Sequence, residues 1–241
     1  MPVRDTLQTA VMKNALPAEF RELGVAFVIK TRVWFKKLGA AKYISHLDLM
    51  RTFTRVFRMS GVPIWYTEGF NPHPFMTFAQ PLPVGTEALK EAVDIKLTEE
   101  TDLALVLEKI RAVSPDCLPV FDVTAPVYKF ADISHALYSI TVETSAGQST
   151  IREFFRNPIT MEKAANKKKK GSTNRIITTQ IPLESIECDG EFTRIQIITP
   201  AGSKENISPS LVLDALAKEC GPLNIHSMVR ECLYTPAGEL S

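Results

Sequence analysis

Apolar and polar positions alternate along most of this chain, and stretches of helical period break the alternation at intervals. Strand patterns run over Val25–Lys37, Pro63–Glu68 with Met76–Ala79, Ala92–Leu97 and Leu118–Val123. Between them Leu49, Met50, Phe53, Val56 and Phe57 recur at helical spacing, which predicts a helix over Ser45–Ser60. Ser45 and Asp48 fit a capping box at its start, and Gly61 stands where a C-terminal glycine is expected. A second helix is predicted over Asp102–Val113, so the order is βαββαβ.

The order returns after Ala125–Ser134, which reads as a linker. Strand Leu137–Glu143 is followed by a short helix Thr150–Phe155, strands near Ile176–Ile186 and Phe192–Ile198, helix Pro209–Cys220 and strand Ile225–Leu233. Ser208 as N-cap, Pro209 at the first helical position and Gly221 at the end make that last helix the clearest element of the second half. The expected class is α+β: two tandem ferredoxin-like (βαββαβ) modules over residues 25–124 and 135–236. Each would have helices on one face of an antiparallel sheet, behind an N-terminal extension of residues 1–24.

Composition narrows the class. With 241 residues and 45% apolar content the chain can fill one large or two ordinary cores. No apolar run approaches the ~18 residues of a membrane span, and the charged N-terminus lacks the continuous apolar region of a signal peptide, so a cytoplasmic protein is expected. Cys117, Cys188, Cys220 and Cys232 are scattered without Cys-x-x-Cys spacing, which argues against a zinc site or iron–sulfur cluster. The net charge of +1 hides a local excess, because Arg32, Lys36, Lys37, Lys42, Arg51, Arg55 and Arg58 face Asp48 alone between Arg32 and Arg58. Such a field attracts phosphate-bearing partners. Lys167–Lys170 form a second basic tract, read as a loop or an arm that orders on nucleic acid.

Most of the unusual chemistry falls between Ser45 and Gly85. On the predicted helix Asp48, Arg51, Arg55 and Arg58 share the face opposite the apolar one. In Gly69-Phe70-Asn71-Pro72-His73-Pro74 two prolines restrict the backbone on either side of His73, and Pro81-Leu82-Pro83-Val84-Gly85 is a second stiff connection. A metal site from His46, Asp48, Glu68 and His73 is not expected, since Asp48 has a capping role and the spacing matches no metal pattern. No phosphate loop, nucleophile elbow or dinucleotide fingerprint is present, and no cofactor is expected.

Phe35, Lys37, Gly39, the run Lys42–Arg51, the run Gly69–Pro74 and Pro81–Gly85 resemble an uncharacterised bacterial family, the radical-SAM-linked proteins, a domain of unknown function. That resemblance implies a partner, a radical S-adenosylmethionine (radical SAM) protein to which the domain is fused or beside which it is encoded, and an RNA setting. This chain departs from the family at Phe75, where a basic residue is usual after His-Pro. The expected function is a non-catalytic RNA-binding or substrate-presenting partner of a radical SAM enzyme, in RNA modification or processing. Lys37, Lys42, Arg51 and Arg55 would hold phosphates, with Asn71 and His73 reading or positioning the ligand. Two alternatives stand beside it. One is a metal-independent RNA-processing enzyme with His46 and His73 as general acid and base. The other is a purely protein-binding adaptor that docks through exposed prolines and Phe70 or Phe75.

Overall fold

The computed structural model describes residues 28–163, 175–203 and 205–241. The N-terminal extension, the start of the first predicted strand and the Lys167–Lys170 tract lie outside the described residues. The first half contains β1 (Ile29–Lys37), α1 (His46–Ser60), β2 (Met76–Phe78), β3 (Glu87–Leu97), α2 (Leu103–Arg111) and β4 (Val120–Thr124). The second contains β5 (His135–Glu143), α3 (Gln148–Arg156), β6 (Ile159–Lys163), β7 (Arg175–Thr179), β8 (Leu183–Asp189), β9 (Phe192–Pro200), α4 (Pro209–Cys220), β10 (Asn224–Thr235) and β11 (Gly238–Glu239). The architecture is mixed, with helices and a mostly antiparallel sheet.

One nine-stranded sheet runs through both halves in the order β4-β1-β3-β10-β5-β9-β8, with β2 added to β3 and β11 to β10. The halves meet where β10 lies parallel to β3, pairing Val229 with Glu87 and Arg230 with Ala88. The expected pair of separate sheets is thus joined at a short seam. Within each half the last strand lies beside the first, the first beside the third and the third beside the second, with the β6–β7 hairpin set apart as its own two-stranded sheet. The alternation over Ile176–Ile186 hid that hairpin: Pro182 has no N–H to donate, and the pairing breaks there into β7 and β8.

α1 forms as its sequence directs. Ser45 Oγ accepts the Asp48 N–H at 3.2 Å, and Gly61 ends the helix in the left-handed region at φ 64°. Leu49, Phe53, Val56 and Phe57 are buried against Val33, Phe35, Val93, Ile95 and Leu97 of β1 and β3, which makes a core confined to the first half. The second core gathers Ile140, Ile151, Ile195, Leu213 and Leu216, and reaches across the seam to Trp34, Ala79 and Ala92. The segment expected as a linker packs too. The Tyr128 carbonyl accepts from Arg32 at 2.7 Å, and the Phe130 ring lies 4.3 Å from that guanidinium. Among the described residues no helix is long and apolar enough to cross a membrane.

Candidate nucleic-acid interface

The basic field of the sequence divides in two. Arg32 is fully buried and bonds Asp94 through Nε at 2.7 Å and Nη2 at 3.1 Å. Lys37, expected to hold phosphate, is 2% exposed, with Nζ 3.4 Å from the Ile44 carbonyl. Burial pushes its ammonium below the usual lysine range. Neither side chain presents a charge to solvent, because outward and inward positions on a strand are set by register and by what covers the outer face. Lys37 follows a bulge in β1 that shifts the alternation by one position.

Arg51, Arg55 and Arg58 do face solvent along α1. Arg51 donates to Asp48 Oδ1 at 3.1 Å, while Arg55 and Arg58 have no ion-pair partner among the described residues. The Ser45 hydroxyl, donating to Asp48 Oδ2 at 2.7 Å, and the Arg51 guanidinium together hold the Asp48 carboxyl below the ordinary carboxylate range. Lys42 stands before the N-terminus of the helix, 5.3 Å from the exposed Tyr43 ring and 3.9 Å from Glu87. Pro81–Gly85 packs beside it, with the Gly85 N–H bonded to the Lys42 carbonyl at 2.8 Å.

At the other end of α1, Gly61 turns the chain into a narrow hairpin. Ile64 bridges to Leu97 and Tyr66 to Pro74, which closes a loop over residues 67–73 before the chain returns to pair with β3 at Ile95. Phe70 at its tip is fully exposed, and Asn71 and His73 are exposed as well. Thr67 ties the base: its N–H donates to the His73 carbonyl at 2.9 Å, and its hydroxyl accepts the His73 N–H at 3.2 Å. His73 Nδ1 lies 3.1 Å from the Asn71 carbonyl and 3.1 Å from Thr67 Oγ1. A proton on Nδ1 satisfies both oxygens and leaves Nε2 as an outward acceptor.

His46 and His73 are held by different elements, the first turn of α1 and the loop before β2. The His46 ring stands edge-on to Phe78, 5.3 Å between centroids. His73 lies in the loop closed by the Tyr66–Pro74 bridge with Nδ1 against Thr67 and Asn71, and among the described residues no contact joins the two rings. Among the described residues His46, Asp48, Glu68 and His73 form no group that could hold a metal ion.

Trp65 and Lys96, which sequence reasoning passed over, lie with Phe75 on the other face of the hairpin. Ile64, Met76, Ile95 and Leu97 point into the core beneath α1, so by strand alternation Trp65, Phe75 and Lys96 point away from it. The rings of Trp65 and Phe75 are 5.7 Å apart, with Lys96 Nζ 4.7 Å from one centroid and 4.1 Å from the other. A tryptophan and a lysine at outward positions between buried neighbours were the available signal.

A family model described as "Uncharacterized protein conserved in bacteria (DUF2344)" matches residues 30–209. The chain belongs to that family. The matched span takes in all of the first half, including α1 and the Phe70 hairpin, and reaches the start of α4. No curated protein matches the sequence. Among solved structures, a chain of "Crystal Structure of a Cbf5-Nop10-Gar1 Complex" is similar at 9% identity and a TM-score of 0.49, over 87% of this chain. This chain spans about half the length of that one, at 49%.

Proposed function

We propose that the protein is a non-catalytic RNA-binding or substrate-presenting subunit that works with a radical SAM enzyme in RNA modification or processing. The observation that carries the RNA half is the line of cations along α1 leading to the hairpin. Lys42 stands before α1, Arg51, Arg55 and Arg58 follow one another along its length of about 22 Å, and Phe70, Asn71 and His73 are exposed on the hairpin that follows it in the chain. Arginines on successive turns suit a phosphate backbone, whereas an exposed ring, an amide and an outward imidazole nitrogen suit unpaired bases. The radical SAM half rests on the motif resemblance alone.

We also read each half as a ferredoxin-like module, supported by the same strand order in both. Acid–base catalysis by His46 and His73 finds no support in their placement. The test of the RNA reading is titration with transfer RNA and ribosomal RNA fragments at two ionic strengths. Binding that weakens with salt is expected, and no binding at either would refute it. For the partner, copurification with the radical SAM protein before and after nuclease treatment separates an RNA-bridged association from direct docking through Phe70.

A further inference from the structure

We infer that the side of the hairpin turned away from α1 is a stacking platform for unpaired bases, built from Trp65 and Phe75 with Lys96 and Lys30, and that the ligand class is single-stranded RNA. The inference rests on the RNA-binding reading above and narrows it.

The register supplies the charge argument. Lys30 of β1 lies directly opposite Lys96 of β3. Like charges in facing positions of an antiparallel pair repel. Asp94, the carboxylate next along this face, is engaged by Arg32 in a two-point ion pair. Among the described residues Lys30 has no acidic partner. Lys96 spends its charge on two ring faces, an arrangement that is weak at an exposed site and easily displaced. The face therefore joins two half-buried rings to two ammonium groups that an anion would relieve.

Sequence-tolerant recognition of single strands uses this combination: bases stack on aromatic side chains while cations follow the backbone. A base sliding onto Trp65 or Phe75 takes the place of the Lys96 ammonium, which then turns toward the adjoining phosphate. A duplex cannot use such a platform, because its bases are already stacked on one another. The Tyr128–Phe130 segment, which covers Arg32, borders the platform on one side, and the exposed hairpin tip borders it on the other. A strand lying along α1 can thus pass the tip and turn onto this face.

Trp65 is its own probe, since the only other tryptophan, Trp34, is 3% exposed. The full-length protein is titrated with a 12-nucleotide single-stranded RNA and with a duplex of the same length, following tryptophan emission and affinity. The single strand is expected to quench Trp65 and to bind more tightly than the duplex. Phe75→Leu should weaken single-strand binding by about tenfold or more, leave duplex binding unchanged and leave the circular dichroism spectrum intact. If Phe75→Leu does not fold, the surface change Lys96→Glu gives the same reading, a loss confined to the single strand. Trp65→Phe, which keeps a ring, should retain affinity. Equal affinity for the two RNAs without quenching would overturn the platform and leave the α1 reading standing. No binding of either RNA would overturn both.

Discussion

Replacing Glu91 by leucine removes one half of the ion pair beneath the seam between the two halves. Arg230 is 0% exposed and Glu91 5%. The guanidinium donates to Glu91 through Nε at 2.7 Å and Nη2 at 2.6 Å, and to the Gln80 carbonyl at 2.7 Å. Burial alone would lower the arginine's pKa, but the Glu91 carboxylate and the Tyr138 side chain together outweigh it and raise the value above the usual range. In Glu91→Leu the charge stays buried without its counter-ion, which costs about 3–5 kcal/mol. At roughly 2–4 °C per kcal/mol for a chain of this size, the melting temperature should fall by about 10 °C. The double variant Glu91→Leu/Arg230→Met leaves no stranded charge and should recover more than half of the loss, since apolar side chains of similar volume replace such pairs at little cost. Urea unfolding at neutral pH, followed by circular dichroism, measures both. A loss below about 1 kcal/mol in the single variant, the median for an exposed pair, would show that the seam is wet and refute the reasoning. A double variant as unstable as the single one would show that the pair itself, and not the stranded charge, holds the seam.

Three further outcomes are expected. Arg55→Ala/Arg58→Ala should weaken RNA binding across all sequences and flatten the slope of log affinity against log salt by about 1.4 for two lost phosphate contacts on a single strand, read from titrations at several salt concentrations. Ser45→Ala should cost about 1 kcal/mol through loss of the α1 cap. Because the Asp48 carboxyl is depressed in the folded state by the Ser45 hydroxyl and Arg51, its contribution is present above the ordinary carboxylate pKa and lost as pH falls through the lower folded value. The gap between wild type and Ser45→Ala in urea melts should therefore narrow in acid. Gly202→Ala should cost about 1–3 kcal/mol in the same assay, because its Cβ would stand 2.6 Å from the Ile133 carbonyl oxygen.

Local order decides what could be read without coordinates. α1 and α4 carry their own start and stop chemistry within a few residues, in Ser45 and Gly61 and in Ser208, Pro209 and Gly221, and both form over the residues expected. Strand boundaries were less legible. β3 starts at Glu87 rather than Ala92, because Ala88 and Glu91 are covered by β10 and its ion pair, a contact formed with residues about 140 positions away. β6 was missed altogether, since five residues pairing only with β7 offer too short a pattern to separate from loop.

The sequence by itself determined the helices, the order of strands and helices in the first half, and the exposure of Arg51, Arg55 and Arg58, because caps and helical periods act over one or two turns. Only the tertiary structure decided that Lys37 and Arg32 are buried, that the His46 ring stands against Phe78, and that Trp65, Phe75 and Lys96 meet on one face. Those outcomes depend on register between strands far apart in the chain. A one-residue shift in that register exchanges the two faces of a strand, so no local pattern of charges could have fixed them.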